Sequence, residues 1–246
     1  MTVVISGGSR GIGATLVKRF ATTGWNVAFT YVSRRESADT VVEQCRTESP
    51  DATVRAYQLD LRDPEAIDRF AEQVIDDFGD VRAVVNNAAT IEDGPAVTMS
   101  NDSWTKVIDA NLSGPFYLTR AFLMHFLSNR SGRIVFISSL AQYGSSGQAN
   151  YAAAKAGLSG LSQTLAKEYG RKGITSNIVT VGLVPTDMAG EGLPEASKRF
   201  WLDHCPAGRM GTVDDIAGAV LYLCGDAASF VTGENLRVAG GLTYAP

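Results

Sequence analysis

Short apolar, β-branched runs recur along the chain, each followed by a stretch with helical periodicity. TVVIS (2–6), WNVAFTY (25–31), TVRAYQLD (53–60), VRAVVNNA (81–88), GRIVFISS (132–139), ITSNIVTV (174–181) and NLRVAGG (235–241) read as strands. Between them, 12–22, 36–48, 64–78, 101–128, 150–170 and 213–224 read as helices. Pro64 marks a first turn and Gly79 a stop. The strands are apolar nearly throughout, as strands covered on both faces are. Strand–helix alternation of this kind predicts one α/β domain, a doubly wound parallel sheet of Rossmann type spanning 1–246. The least patterned stretch, 186–212, carries Gly, Pro, Phe200, Trp201 and Met210. It reads as a lid or as a connection with short helices of its own.

Composition narrows the class. A chain of 246 residues, 45% hydrophobic and 20% charged, is long enough for a self-sufficient core. A net charge of −4 argues against broad binding to nucleic acid or an anionic membrane. Cys45, Cys205 and Cys224 lie far apart, and His125 and His204 fit no zinc spacing, so free thiols and no metal are expected. No apolar run reaches the ~20 residues of a spanning helix, and no charged leader precedes TVVIS; a cytoplasmic protein is expected.

Two places carry chemistry. The first is SGGSRGIG (6–13), where Gly7, Gly11 and Gly13 sit between a strand and a helix with Ser9, Arg10 and Ile12 among them. Glycine there allows a tight turn and close backbone approach, and the helix N-terminus offers free N–H groups to a pyrophosphate. Strand two ends in Tyr31-Val32-Ser33-Arg34-Arg35, with no acid to hydrogen-bond a ribose 2′-hydroxyl. Arg10 with Arg34, rather than Arg35, suits a 2′-phosphate, which predicts NADP(H). The second place is Tyr151-Ala-Ala-Ala-Lys155, where spacing of four puts both side chains on one helix face. A phenol beside an ammonium can give a proton to a developing alkoxide, and the ammonium would lower the phenol's pKa.

These motifs, at this spacing, resemble the short-chain dehydrogenase/reductase family along nearly the whole chain. The resemblance implies further roles. Asp60-Leu61 would contact adenine, and Asn87 of NNAA (86–89) would hold the strand-four turn. Val184 and Thr186 of TVGLVPTDM would fix the nicotinamide carboxamide, with Val181 where Pro is usual. Asn111 would link Lys155 to water. The catalytic serine lies between Ser138 and Ser139; matching GRIVFISS and counting from Asn111 selects Ser139. Within the family, GQANYAAAKAGL (147–158) and VTGENLRVAGG (231–241) are most similar to β-ketoacyl-[acyl-carrier-protein] reductases, although Ala239 stands where Asn or Asp is usual. This implies NADPH-dependent reduction of a 3-oxoacyl thioester on acyl carrier protein or CoA, in a homotetramer. The alternative is a free alcohol, sugar or polyketide ketone. An acidic carrier would dock near Arg130 and Lys172, with Arg133 and Arg171 nearby.

Overall fold

The computed structural model describes residues 1–185 and 195–243. Seven strands form one sheet: β1 (Thr2–Ile5), β2 (Asn26–Tyr31), β3 (Val54–Gln58), β4 (Val81–Asn86), β5 (Gly132–Ser139), β6 (Ile174–Val181) and β7 (Asn235–Val238). Their order is β3-β2-β1-β4-β5-β6-β7, and every pairing is parallel. The helices are α1 (Gly11–Thr22), α2 (Arg35–Glu48), α3 (Pro64–Phe78), α4 (Asn101–Ile108), α5 (Gly114–Asn129), α6 (Ala149–Tyr169), α7 (Glu195–His204) and α8 (Val213–Cys224). The doubly wound parallel fold expected from the sequence is present.

Strand alternation divides the core into two layers. Val3 and Ile5 join Leu16, Phe20 and Phe29 on the face covered by α1, α2 and α8. Val4 joins Phe70, Phe122, Phe126, Ile134 and Phe136 on the face of α3, α5 and α6. Burying side chains of this size stabilises the fold by about 1.5–3 kcal/mol each. Helix starts are fixed locally. The Asp63 carboxylate accepts from the Ala66 N–H at 2.9 Å, with Pro64 in the first turn of α3. Thr212 and Asp215 cap α8 reciprocally.

Two expectations need correction. The single helix expected over 101–128 is interrupted: a π-helical turn, Asp109–Ser113, separates α4 from α5. Pro115 has no N–H for the helical ladder. Gly114 packs so closely that a Cβ there would stand 2.7 Å from the Leu61 Cβ. The fourth strand ends at Asn86, before the turn that Asn87 and Ala88 make. Of the expected lid, 186–194 lie outside the described residues, and 195–204 form α7.

The strand order reverses between β1 and β4, whose connections diverge to opposite faces. Crevices at such switch points lie beyond the carboxyl ends of the strands. A cleft of about 590 Å³ occupies that position here.

Candidate active site

The floor of the cleft is the turn between β1 and α1. Gly7 and Gly11 have φ of +70° and +53°, which side chains resist. A Cβ on Gly13 would stand 2.0 Å from the Gly7 carbonyl oxygen. The turn is locked to the end of β4. The fully buried Ser6 hydroxyl accepts from the N–H groups of Asn87 and Ala88, both at 3.0 Å. The Asn87 amide donates to the carbonyls of Ser6 and Gly7 at 3.0 and 3.1 Å. Thr30, which the sequence reading did not single out, accepts from the Gly7 N–H through its hydroxyl and from the Gly8 N–H through its carbonyl. No side chain caps α1, so the N–H groups of its first turn face the cleft with the positive end of the helix dipole. This cradle fits a dinucleotide pyrophosphate.

At one end of the cleft Tyr31, Val32, Ser33 and Arg34 form the wall, with Ser9, Arg10 and Ile12 beside the glycines. Arg35 turns away and pairs with Asp39 at 3.7 Å. Among the described residues lining the cleft, the one carboxylate is Asp93, on the loop after β4 beside Tyr151. Leu59 and Leu61 line the cleft, but Asp60 does not. Arg62 grips the Asp60 carboxylate in a fork, at 2.5 Å from Nη2, and holds it below the usual carboxylate range.

At the other end, β5 and α6 bring Ser139, Tyr151 and Lys155 together. The Ser139 hydroxyl accepts from the Ala141 N–H at 3.2 Å and lines the cleft with Tyr151. The Ser138 hydroxyl points the other way and donates to the Lys155 carbonyl at 3.3 Å. Adjacent strand residues diverge in this manner. Lys155 is 3% exposed, and its Nζ donates to the Ile137 carbonyl at 2.8 Å. Burial lowers its pKa to about 8. The same Nζ stands 5.6 Å from the centre of the Tyr151 ring.

The expected lowering of the phenol's pKa is not what the chain alone shows. Burial pushes Tyr151 up to about 12; the Ser139 hydroxyl pulls the other way, and the Asp93 charge adds to the rise. Desolvation of the phenolate outweighs an ammonium that points at Ile137 and the ring face.

Asn111 is fully buried in the π-helical turn. Its amide accepts from the Thr90 N–H at 2.8 Å and donates to the Thr90 carbonyl at 2.7 Å. The side chain therefore secures the loop after β4 and is not part of the cleft wall. The sequence reading missed Asn150, which is also fully buried. Its oxygen accepts from the Tyr151 N–H at 2.7 Å, and its nitrogen donates to the carbonyls of Glu92 and Ser103 at 3.1 and 3.2 Å. The start of α6 is thus tied to the cleft loop and to α4. Its place just before the tyrosine was the available signal.

Val184 is buried and lines the cleft beside Gly182 and Leu183. Thr186 lies outside the described residues. Arg130 and Lys172 precede β5 and β6, at the opposite end of the sheet from Ser139. Eight residues of β5 correspond to about 23 Å. Arg133 is 4% exposed and pairs with Asp226, so it does not join an exposed basic face. Among the described residues, Cys45, Cys205 and Cys224 are free thiols, no group of three His, Cys, Asp or Glu could hold a metal, and no helix is long and apolar enough to cross a membrane.

A parallel sheet with a glycine-floored switch-point cleft and a Ser–Tyr–Lys cluster defines a class of nucleotide-dependent oxidoreductase, and comparison with known proteins specifies it. A family profile described as enoyl-(acyl carrier protein) reductase matches residues 7–243. The 3-oxoacyl-[acyl-carrier-protein] reductase FabG of Escherichia coli (strain K12) is 37% identical over 240 residues, covering 97% of this chain and 96% of the relative. The protein of the same name from Staphylococcus aureus (strain Mu50) is 35% identical over 242 residues, covering 98% and 97%. The crystal structure of levodione reductase superposes with a TM-score of 0.92 at 28% identity, covering 98% of this chain and 96% of that one. The chain belongs to the short-chain dehydrogenase/reductase family.

Proposed function

We propose that this protein reduces the 3-keto group of an acyl thioester, carried by acyl carrier protein or CoA, with NADPH. The observation that carries the reading is the Ser139–Tyr151–Lys155 cluster at one end of a cleft whose other end presents Arg34. Full-length similarity to 3-oxoacyl-[acyl-carrier-protein] reductases supports the substrate class.

When bound, the cofactor supplies a hydride to the carbonyl carbon. The N–H groups at the start of α1 hold its pyrophosphate, and Arg34 with Arg10 favours a 2′-phosphate. The Val184 backbone would hold the carboxamide, and the resemblance gives the same role to Thr186. Ser139 donates a hydrogen bond to the carbonyl oxygen and sets its distance from Tyr151. The Tyr151 O–H, kept protonated by burial, passes its proton to that oxygen as negative charge develops. The Lys155 charge beside the Tyr151 ring would favour the phenolate that remains, and its ammonium would hold the ribose hydroxyls of a bound cofactor. Asn111 and Asn150 keep the surrounding loops in register.

An acidic carrier docked near Arg130 and Lys172 fits the charge of those residues. Because they lie a strand length from Ser139, this docking favours an assembly in which a second copy brings its own cleft alongside. Exposed Phe116 and Met124 on α5 support such packing, in the tetramer expected from the sequence. The likeness to levodione reductase favours a second reading, a substrate that is not carried as a thioester: a free alcohol, sugar or polyketide ketone.

The test is a parallel assay of carrier-linked, CoA-linked and free ketones with NADPH and with NADH. Consumption of NADPH in preference to NADH, and of thioesters in preference to free ketones, is the expected result. Preference for a free ketone would support the second reading, and turnover of neither would overturn both.

A further inference from the structure

Beneath α7 a second cavity, of about 270 Å³, opens off the cleft. The two share Gly182, Leu183 and Trp201. Leu202, Met210, Val238, Ala239 and Leu242 give the second cavity a mostly apolar wall. Two of the three charged residues on its border, Arg209 and Asp215, pair with each other at 2.7 and 2.9 Å, and Arg237 is the third. Its volume is far above the ~10–15 Å³ that one water requires, and walls of this kind favour hydrocarbon over water.

Ala239 occupies a particular place in this cavity. It is 9% exposed and packs with Leu140 and Leu242, while Trp201 and Cys205 lean on the same cluster. It is also the position where the tail VTGENLRVAGG departs from its resemblance, alanine standing for the usual Asn or Asp. A carboxamide or carboxylate there would bring polar atoms into the cavity and reduce its volume. The backbone beneath is tight, since a Cβ on Gly182 would stand 2.8 Å from the Ala239 Cα.

The cleft's other border is polar. Ser145, Ser146, Gln148 and Asp93 line it, and the Gln148 amide donates to Asp93 at 3.1 Å. The two sides of a 3-keto thioester differ in the same way: a polar carrier arm beyond the thioester, and a hydrocarbon chain beyond the ketone.

We propose that the cavity under α7 holds the hydrocarbon chain of the substrate, and that Ala239 sets the chain length accepted. This rests on the thioester reading above. The carrier arm leaves past Gln148, the ketone sits at Tyr151, and the chain passes Trp201 into the apolar space.

The experiment compares N-acetylcysteamine thioesters of 3-oxobutanoic and 3-oxooctanoic acids in wild type, Ala239→Asn and Leu202→Trp. Leu202→Trp fills the cavity from the α7 side, so the test does not depend on one variant folding. Each buried methylene favours binding several-fold, so wild type should prefer the longer substrate by roughly tenfold or more in kcat/KM. Both variants should lose most of that ratio. An unchanged ratio in both variants, or no length preference in wild type, overturns the proposal. If wild type turns over neither thioester, the reduction reading fails, and binding decides the cavity separately. Octanoyl-N-acetylcysteamine is then titrated against tryptophan fluorescence, with Trp201→Phe as the reference. Binding that weakens in Ala239→Asn and Leu202→Trp supports the cavity, whereas equal binding in all proteins, or none, overturns it.

Discussion

The ammonium of Lys155 stands 5.6 Å from the centre of the Tyr151 ring while its hydrogen bond goes to the Ile137 carbonyl. Charge and phenol are neighbours, yet burial keeps both closer to their neutral forms: Tyr151 rises to about 12 and Lys155 falls to about 8. An anionic dinucleotide in the cleft would favour the lysine cation.

This relationship predicts a pH dependence of cofactor binding. Lys155 loses its proton as pH rises through about 8. Above that pH, NADPH affinity should fall by up to about tenfold per pH unit. Lys155→Met should bind more weakly with a flat profile. Titration of NADPH fluorescence between pH 6 and about 9.5 is the check.

The same burial has a stability signature. The folded-state pKa of Lys155 lies below its unfolded value of 10.5, so the unfolded chain binds more protons between about pH 8 and 10.5. In that window the lysine's contribution becomes less unfavourable as pH rises, and below pH 8 the full cost is present. Urea unfolding of wild type and Lys155→Met should therefore show a difference that shifts by roughly 2–3 kcal/mol in favour of wild type between pH 7 and 10. A difference independent of pH would contradict the assignment.

Asn150 connects the tyrosine's own N–H to Glu92 and Ser103. Asn150→Ala would leave those groups without partners and should destabilise the fold by about 2–3 kcal/mol. Because the start of α6 would also loosen, kcat should fall roughly tenfold while NADPH affinity stays close to wild type. Urea unfolding, steady-state kinetics and cofactor titration together separate the two effects.

Arg34 lines the cleft, whereas Arg35 is paired with Asp39. Arg34→Ala should weaken NADPH roughly ten- to a hundredfold, the worth of a charge-assisted hydrogen bond, and leave NADH nearly unchanged. Arg35→Ala should change neither by as much. Cofactor affinities of both variants decide the matter.

The sheet was legible because β-branched runs buried on both faces leave an unmistakable pattern, and the glycine turn because only glycine fits φ of +70° at Gly7 or the contact at Gly13. The Tyr151–Lys155 face followed from helical spacing alone. What the sequence hid depended on contacts that the folded chain makes. The periodicity of 101–128 continues through the π-helical turn, whose place is marked only by Gly114 and Pro115. Thr30 and Asn150 act through backbone groups that only the folded chain brings near. The pairing of Asp60 with Arg62 is also invisible in the motif. The cavity behind Trp201 exists only once α7 lies over the end of β7.

Proton donation by Tyr151 to a carbonyl that takes the cofactor's hydride is tested most directly with NADPH deuterated at the transferred position and a 3-oxoacyl thioester. Wild type should place deuterium at C3 of the hydroxy product. Tyr151→Phe should bind NADPH as well as wild type yet transfer deuterium roughly a hundred- to ten-thousandfold more slowly. Transfer by Tyr151→Phe at the wild-type rate, or product formed by wild type without deuterium at C3, would contradict the account.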